Sequence, residues 1–416
     1  MRPFSLDLPA LDRCVVGRSS SFFADDLTRS LDELSDLILG RRILVIGGAG
    51  SIGFNTLQTI LQFEPASIHV IDHDENGLAE LVRGLRSNAR TPPLGDLQTL
   101  PFDYGGDPFR LWLSASPLDY DYVLNFAALK HVRSEKDPFS ILAMLETNVL
   151  HLERLSRLLA RRTPPRRVFS VSTDKAANPS SMMGATKRLM EHALFLPTQP
   201  WPTATAITSA RFANVAFSHG SLLHGWQLRL AARQPLACPE NCRRFFVSLD
   251  ESGHLCTLAG FLGTDRTLTI PALQPSEHLV LLSDVATRFL EHHGFEAHFT
   301  REPDEALGRA EELIGAGRWP VLLTPLDTGG EKPFEEFVGE NESVRHSDFD
   351  SLLELEYLPP ADTSSFPAMV GMVRDMLGTP ETATVTSEEL KTLIANVEPS
   401  FAQTHRASAN LLDQRI

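Results

Sequence analysis

The sequence predicts an α/β fold, in which a doubly wound parallel sheet is joined to a smaller α/β lobe. Short apolar runs that are typical of buried parallel strands alternate with helical segments from residue 41 onward. The first run leads directly into a glycine-rich turn, and a later one leads into a polar stretch at residues 172–187. Because the loops after parallel strands gather at one edge of a sheet, we expect both segments to lie at a common binding site.

Size and charge limit the classes of protein to consider. The chain has 416 residues, of which 42% are hydrophobic, so it can form two or three domains or one elaborated α/β unit. The formal net charge is −15 and no long basic run occurs, which argues against nucleic acid or a membrane surface as a partner. No run approaches the ~20 apolar residues that span a bilayer, and no secretory leader is recognisable. We therefore expect a cytoplasmic protein.

The cysteines indicate neither a disulfide scaffold nor a metal centre. Cys14, Cys238, Cys242 and Cys256 are few and scattered, which favours a reducing compartment. Cys238 and Cys242 are spaced like half of a zinc site, but no second ligand pair stands at a convincing spacing. Free thiols are the favoured interpretation, and no metal is predicted.

The terminal regions are expected to be extensions of the fold. In residues 1–40, Leu27, Leu31, Leu34 and Ile38 recur at helical spacing, which predicts an amphipathic helix that packs on the protein or contacts another subunit. Residues 346–416 are rich in Pro, Ser, Thr and acids, with helix-like segments at 366–377 and 387–397.

The first strand, turn and helix indicate a dinucleotide site. The apolar run at 41–46 is followed by Gly47, Gly50 and Gly53 and then by a helical segment at 54–63. Glycines at this spacing allow a tight turn, close approach to a pyrophosphate and close helix packing, as in Rossmann-like folds. We expect Ser51 and Ile52, at the start of the helix, to contact the cofactor as well.

Acidic and small residues extend this site. Asp72 ends the second strand, where a carboxylate can accept both ribose hydroxyls and repel a 2′-phosphate, which favours NAD over NADP. The alternative is that Asp72 is a turn or N-cap acid. Asp103 ends a third apolar segment and is expected near the adenine, while Ala127 and Ala128 follow a fourth strand and leave room for the cofactor.

Five motifs then establish a specific resemblance. They are the glycine turn at 47–53 and the segments 125–132, 172–187, 211–215 and 330–336. Over roughly residues 41–340 the chain resembles the extended short-chain dehydrogenase/reductase family, and within it the nucleotide-sugar 4,6-dehydratases of polysaccharide biosynthesis, particularly the inverting UDP-N-acetylglucosamine enzymes. The resemblance implies a Rossmann domain at 41–212, a substrate lobe at 213–345 interleaved with it, and a homo-oligomer.

The resemblance also implies a reaction and roles for residues. The C4 hydroxyl of a sugar nucleotide is oxidised, water is lost across C5 and C6, and hydride returns to C6. Asp174 protonates the leaving hydroxyl, Lys175 removes the C5 proton, and Thr173 bonds the C4 oxygen. Lys187 holds the nicotinamide ribose, and Lys130 also contacts the cofactor. Burial is expected to raise the pKa of Asp174 and lower that of Lys175, so that both can act; the alternative is an ordinary ion pair.

One catalytic position departs from the superfamily pattern. Met183 stands where most members have the tyrosine that acts as the base at C4, and a thioether accepts no proton. Some dehydratases of this branch also carry Met there. Lys187 or Lys175 then has to serve as the base, and the sequence does not choose between them. Met183 is expected to pack against the nicotinamide or the sugar.

Substrate contacts are expected mainly from the lobe. The residues that match the family's positions are His131, Asn214, Ser221, Arg244 and Glu331. His219 replaces an arginine that is common in relatives, and Thr328-Gly329 replaces Arg-Pro, so the sugar nucleotide stays open. The first interpretation is a 4,6-dehydratase. The alternatives are a nucleotide-sugar 4-epimerase or related oxidoreductase, and a non-catalytic NAD-binding protein.

Overall fold

A computed structural model describes residues 6–88, 91–92, 95–130, 135, 137–327, 330–379 and 385–405. The strands are β1 Arg42–Ile46, β2 Ser67–Ile71, β3 Asp96–Leu100, β4 Tyr122–Asn125, β5 Arg167–Thr173, β6 Ala206–Phe212, β7 Asn214–Val215, β8 Leu236–Pro239, β9 Arg243–Arg244, β10 Phe246–Val247, β11 Thr267–Pro271, β12 Val280–Leu281, β13 Glu296–Thr300, β14 Arg318–Thr324, β15 Val344–Arg345 and β16 Leu352–Glu356.

The helices are α1 Ala10–Val16, α2 Ala24–Arg29, α3 Leu31–Ile38, α4 Ser51–Ile60, α5 Glu75–Ser87, α6 Asp107–Ala115, α7 Pro138–Leu145, α8 His151–Leu159, α9 Met182–Phe195, α10 Leu222–Ala231, α11 Leu249–Phe261, α12 Pro275–His278, α13 Leu282–His292, α14 Pro303–Gly308, α15 Ala310–Gly315, α16 Ser365–Gly378, α17 Ser387–Val397 and α18 Pro399–Thr404. Short 3-10 turns lie at Leu61–Phe63 and Asp174–Ala176, and a π-helical turn lies at Glu146–Leu150.

The central sheet has nine strands in the order β15-β16-β11-β6-β5-β4-β1-β2-β3. The strands from β3 to β11 pair in parallel, whereas β16 and β15 add two antiparallel strands at one edge. The strand order reverses between β1 and β4, so the loops that follow these two strands open a crevice at the carboxyl edge. The predicted α/β fold with a large parallel sheet is confirmed.

The first strand is buried because its sequence is continuously apolar after Arg42. Ile43, Leu44 and Val45 of β1 are fully buried, as expected for a strand covered on both faces. Helix α11 packs closely on α4, where a Cβ added at Gly253 would lie 2.4 Å from the Asn55 carbonyl oxygen. Glycine at this position therefore permits the close helix approach.

A smaller lobe has its own parallel sheet, in the order β13-β14-β8, and its own apolar core. Trp226, Phe289 and Trp319 are among the large side chains buried there. Two small pairs, β7 with β10 and β9 with β12, accompany this lobe. Val15 of α1 belongs to the lobe's core, so the N-terminal region packs on the lobe as well as on the main sheet.

The terminal regions are built into the main core. The single helix predicted over Leu27 to Ile38 is wrong in one respect, because α2 and α3 divide it at Ser30. Leu27, Leu34 and Ile38 are nevertheless fully buried in the main core. The two predicted C-terminal helices are confirmed as α16 and α17. Among the residues described, no helix has both the length and the apolar character that crossing a membrane requires.

Candidate active site

The glycine turn between β1 and α4 is pressed against the loop that follows β4. Gly47 has a φ of 74°, and a Cβ added there would lie 2.4 Å from the Ala127 nitrogen. A Cβ at Gly53 would lie 2.7 Å from the Gly47 carbonyl oxygen. Among the described residues, a Cβ at Gly50 would meet that same oxygen alone, at 3.5 Å, which is an ordinary van der Waals distance. Two glycines therefore serve packing, whereas Gly50 leaves open space at the start of a helix, where an anionic group can approach.

Asp72 lies beside this turn. Its two carboxylate oxygens accept hydrogen bonds from the backbone N–H groups of Ala49, at 3.0 Å, and Asp74, at 3.1 Å. The N-cap of α5 is Asp74, whose side chain accepts the Gly77 N–H at 2.9 Å. Capping of α5 thus falls to Asp74, and Asp72 is held at the edge of the crevice.

The other predicted cofactor positions surround the same edge. Ser51 is the first residue of α4, and its hydroxyl accepts the N–H of His219 from the lobe at 2.9 Å. Ile52 follows it and is half-buried. Asp103 accepts the Gly105 N–H at 2.9 Å, and its side chain is mostly exposed.

The loop after β4 contributes the remaining cofactor positions. Ala127 and Ala128 are half-buried there, and Asn125 accepts the Ala127 N–H at 3.1 Å. Lys130 is exposed. His131 falls outside the described residues, so its predicted contact with the substrate stays a prediction.

Asn148, in the π-helical turn, is a functional candidate that sequence reasoning missed. Its side-chain oxygen accepts the Leu129 N–H, and its Nδ2 donates to the Leu129 carbonyl and the Thr186 hydroxyl, each at 3.0 Å. One amide therefore joins the loop after β4 to α9. Wide helical turns recur at functional sites, but the sequence around Asn148 carries no signal for one.

A loop between β5 and α9 is confirmed, but it is shorter than the polar stretch 172–187: residues 172–173 end β5, and residues 182–187 already belong to α9. The Thr173 hydroxyl donates to Asp174 Oδ1 at 2.7 Å, and Lys175 Nζ donates to the same oxygen at 3.1 Å. Asp174 is buried, and its Oδ2 has no hydrogen-bond partner among the described residues. A buried carboxylate oxygen normally has a partner, so this atom is placed to accept a hydrogen bond from a bound ligand.

The expected pKa of Lys175 is wrong in direction. Burial acts to lower the pKa of Lys175, but the nearby carboxylates of Asp174 and Glu335 outweigh it, and the pKa lies above its ordinary value. Asp174 has the larger of the two effects; the second comes from Glu335, a buried acid on the loop 330–337 that the site prediction did not include. Burial raises the pKa of Glu335, and Asp174 raises it further, whereas Lys175 acts in the opposite sense. The site therefore contains two buried carboxyl groups around one amine.

Lys187 differs from Lys175 in its surroundings. Its Nζ is buried and donates to the Val171 carbonyl at 2.6 Å, with the Met190 sulfur at 3.1 Å. Burial lowers the pKa of Lys187 to about 7, although Glu191 acts to raise it. This amine is therefore partly neutral near pH 7.

Met183 is buried at the start of α9 and is backed by a second acid that the sequence did not reveal. The Met183 N–H donates to Glu135 Oε1 at 2.9 Å. Burial raises the pKa of Glu135 to about 7, and hydrogen bonds from residues at the helix start act to lower it. Glu135 was missed because a single acid in a polar loop carries no distinguishing pattern.

Several predicted substrate positions have structural partners within the chain. Asn214 donates to the Phe245 carbonyl at 3.3 Å, and Ser221 caps α10 by accepting the His224 N–H at 3.2 Å. Arg244 Nη1 donates to the carbonyls of Arg243, Lys332 and Pro333 at 2.8, 3.1 and 3.3 Å. Glu331 is half-buried on the same loop as Glu335. Substrate contact by these residues stays a prediction.

Comparison with known proteins places the chain in a family. The family model described as "Polysaccharide biosynthesis protein" matches residues 43–356, from the first strand to the end of β16. The chain belongs to the polysaccharide biosynthesis protein family. The match includes the glycine turn, the loop 174–181 and the loop 330–337, so the family predicted from the sequence is confirmed.

Relatives in the family carry several descriptions. A protein of Methanocaldococcus jannaschii described as an uncharacterized membrane protein is 31% identical over 264 residues, 62% of this chain and 75% of that protein. The inverting UDP-N-acetylglucosamine 4,6-dehydratase of Campylobacter jejuni is 28% identical over 218 residues, 51% of this chain and 61% of the enzyme. The UDP-glucose 4-epimerase of Rickettsia prowazekii is 25% identical over 301 residues, 68% of this chain and 84% of the enzyme. Nucleotide-sugar dehydratases and epimerases are thus both among the matched enzymes.

The extent of these matches varies. Two other relatives are matched over only 54% and 37% of their own lengths, so the chain spans about half or less of them. Among solved structures, the UDP-glucuronic acid 4-epimerase of Bacillus cereus, in complex with UDP-glucuronic acid and NAD, has a TM-score of 0.52 at 16% identity, over 86% of this chain and 99% of that one. At this identity the likeness supports the fold.

Proposed function

We propose that the protein is a nucleotide-sugar 4,6-dehydratase that retains NAD and acts on UDP-N-acetylglucosamine. The observation that carries this proposal is the buried Asp174 carboxyl. One of its oxygens is bonded to Thr173 and Lys175, and the other has no partner in the part of the chain that the structure describes. Elimination of water needs an acid and a base beside each other, and this pair supplies both. The match to the dehydratase of Campylobacter jejuni supports the same reaction.

The residues around the glycine turn fit NAD. The open space at Gly50 suits a pyrophosphate at the start of α4, and the Asp72 carboxylate suits an unphosphorylated ribose. When bound, NAD supplies the acceptor for the C4 hydride and the donor that returns it to C6. Gly47 lets the glycine turn lie against Ala127 of the loop after β4, and Gly53 lets α4 lie against the turn itself.

Asp174 and Lys175 reach their working protonation states by one proton transfer. At rest Lys175 carries the proton, since two carboxylates raise the pKa of its amine. Transfer of that proton over 3.1 Å to Asp174 Oδ1 gives a neutral amine and a carboxylic acid without changing the net charge. The amine then accepts the C5 proton, and the acid donates to the departing C6 oxygen.

Lys187 is the better of the two candidate bases for the C4 hydroxyl. Its pKa of about 7 leaves a fraction of the amine neutral at neutral pH, whereas the pKa of Lys175 is raised. Thr173, at the end of β5, is placed to bond the C4 oxygen as that proton leaves. In this proposal Met183 contributes only apolar surface.

A nucleotide-sugar 4-epimerase is the second candidate. The observation that favours it is the longer match with the epimerase of Rickettsia prowazekii, which covers 68% of this chain against 51% for the dehydratase. Epimerisation also begins at C4 but requires no acid at C6.

The test is to incubate the purified protein with UDP-N-acetylglucosamine without added reductant and to follow the product by mass spectrometry. Loss of one water supports the dehydratase; an unchanged mass with a new 4-epimer by NMR supports the epimerase.

Replacing Asp72 by Asn is expected to weaken NAD binding by about tenfold and to bring the affinities for NAD and NADP closer together. The charged hydrogen bonds to the ribose are lost, and the repulsion of a 2′-phosphate is removed. Both affinities are measured by titrating cofactor-free protein. Asp74→Asn is the matched control, since Asp74 caps α5 and should leave both affinities unchanged. A loss of equal size for NAD and NADP in Asp72→Asn would contradict the assignment.

Replacing Glu335 by Gln is expected to lower the pKa of Lys175, because one of the two carboxylates that raise it is removed. The proposed mechanism needs one proton shared by Lys175 and Asp174, so kcat falls as pH increases through the pKa of Lys175 and that proton is lost. The midpoint of this fall should move to lower pH by about one unit. Glu340→Gln, at an exposed position on the same segment, serves as the control. An unmoved midpoint in Glu335→Gln would show that Glu335 does not act on Lys175.

A further inference from the structure

The C-terminal segment 386–405, made of α17 and α18, lies against the catalytic helix α9. Helix α17 packs on both α9 and α7. Leu390, Ile394, Val397 and Phe401 are buried, and all four belong to the main apolar core. The segment is therefore anchored on the same helix that begins at the catalytic loop.

Glu398 binds the segment to α9 through hydrogen bonds to its carboxylate. Its Oε1 accepts hydrogen bonds from Arg188 Nε, at 3.3 Å, and from His192 Nε2, at 2.5 Å. Arg188 and His192 lie one turn apart on α9, and both are buried. His192 Nδ1 lies 2.7 Å from the Tyr357 hydroxyl, which completes the bonding of its ring. Buried charged hydrogen bonds of this kind hold two elements in one relative position.

The same network reaches the end of β5. Arg188 pairs with Glu191 at 3.0 Å, and Glu191 Oε1 accepts the Ser172 hydroxyl at 2.6 Å. Ser172 immediately precedes Thr173. A continuous set of buried hydrogen bonds thus joins Glu398 to the residue beside the proposed catalytic threonine.

The last described residues of the segment contact the catalytic loop directly. The Thr404 hydroxyl lies 2.6 Å from the Pro179 carbonyl oxygen. The two other carbonyl oxygens within its reach, those of Ser400 and Phe401 in its own helix, are farther away, at 3.1 and 3.3 Å. His405 Nδ1 lies 3.0 Å from the Ser180 carbonyl oxygen. The carbonyl of Asn178, the residue before Pro179, accepts a hydrogen bond from Lys332 Nζ. Three successive carbonyl groups of the loop are therefore each contacted by a side chain from a distant segment.

We propose that Glu398, Thr404 and His405 are positioning residues that hold the loop 174–181 in the conformation that presents Asp174 and Lys175 to the substrate. This inference rests on the proposed function. The loop consists of one 3-10 turn and irregular backbone, so contacts from outside must supply the order that regular structure lacks. Because a displacement of about 1 Å can cost about a hundredfold in rate, loosening the loop reduces catalysis even when binding is intact.

The test compares full-length variants. In the double variant Thr404→Val/His405→Ala we expect kcat to fall about tenfold or more, with KM and NAD affinity unchanged. Thr404→Ser, which keeps the hydroxyl, should retain the unmodified protein's kcat. Amide hydrogen exchange over residues 177–184 should become faster in the double variant. Glu398→Gln should accelerate the same amides, since it weakens the charged contacts to α9.

Thr392→Val is the matched control, because the Thr392 hydroxyl donates only within its own helix, to the Glu388 carbonyl at 2.8 Å. It should change neither exchange nor kcat. Unchanged exchange over 177–184 in the double variant would overturn the inference, whatever the activity. Faster exchange in a protein that turns over no nucleotide sugar would uphold the contact and refute the proposed function, so the two failures are distinguishable.

Discussion

Asp174→Asn and Lys175→Ala are each expected to lower kcat for dehydration by about 10²- to 10⁴-fold, the range that general acids and bases contribute. The asparagine cannot donate a carboxylic proton, and the alanine leaves no group to remove the C5 proton. Among the described residues, the hydrogen bonds and ion pairs of these two side chains are within residues 173–175 and do not involve the glycine turn, so NAD affinity should be unchanged. Product formation is followed by mass spectrometry, and NAD affinity by titration.

The two variants should fail at different steps, which allows the roles to be separated. In D₂O, Asp174→Asn should still exchange the C5 hydrogen of the sugar for deuterium. Removing the Asp174 carboxylate lowers the pKa of Lys175, so the amine can become neutral by losing its proton to solvent, and only the departure of the C6 oxygen is blocked. Lys175→Ala should show no exchange at C5. Asp304→Asn, at an exposed position on α14 in the lobe, is the control and should behave like the unmodified protein. Turnover retained in both variants would refute the roles assigned here.

The central part of the fold was predictable because its signals are local. The apolar run of β1, the glycine spacing and the helix that follows are adjacent in sequence, and each imposes its own structure. The antiparallel strand β16 was not predicted, since its place beside β11 depends on a partner distant in the chain. For the same reason the packing of residues 386–405 on α9 could not be anticipated from their helical pattern.

For the site, as for the fold, residues adjacent in sequence were predicted, and residues brought near by folding were not. Thr173, Asp174 and Lys175 were found because they stand in one polar stretch that resembles the family's catalytic motif, and the structure brings them together through one carboxylate oxygen. The direction of the Lys175 pKa was wrong because it depends on how closely Asp174, and then Glu335, approach the amine, which is a property of the folded chain. Glu135 was missed for the same physical reason: its burial against α9 gives it importance, and no sequence pattern encodes that burial.

Replacing Arg211 by Met is expected to lower the free energy of unfolding by about 3–5 kcal/mol, the usual cost of removing one partner of a buried ion pair. Arg211 is fully buried on β6, and its Nη2 lies 2.7 Å from both Glu191 and Glu342. Its Nη1 also donates to the Phe337 carbonyl at 2.9 Å. Without the guanidinium, two buried carboxylates lose their main partner, while methionine fills part of the space but offers no donor.

The pH at which the protein unfolds in acid provides a second measurement on the same variant. Burial acts to raise the pKa of Glu191, but Arg211 and Arg188 outweigh it and lower the pKa to about 2, against an ordinary value of 4.5. The stability that this group contributes is therefore complete above about pH 4.5 and is lost as pH falls toward 2. In Arg211→Met the folded-state pKa of Glu191 should rise, so unfolding should begin at higher pH than in the unmodified protein.

The control is Arg233→Met, which removes an exposed arginine paired with Glu311 at 3.1 Å in the lobe. Exposed pairs contribute at most about 1 kcal/mol, so this variant should unfold almost as the unmodified protein does. Denaturant unfolding of all three proteins measures the difference. If the two arginine variants lost the same stability, the buried pair would contribute no more than a surface one, and Glu191 and Glu342 would have to be stabilised by other groups. A much larger loss in Arg211→Met would show that this buried cluster is required to hold α9 and the loop 330–337 on the sheet.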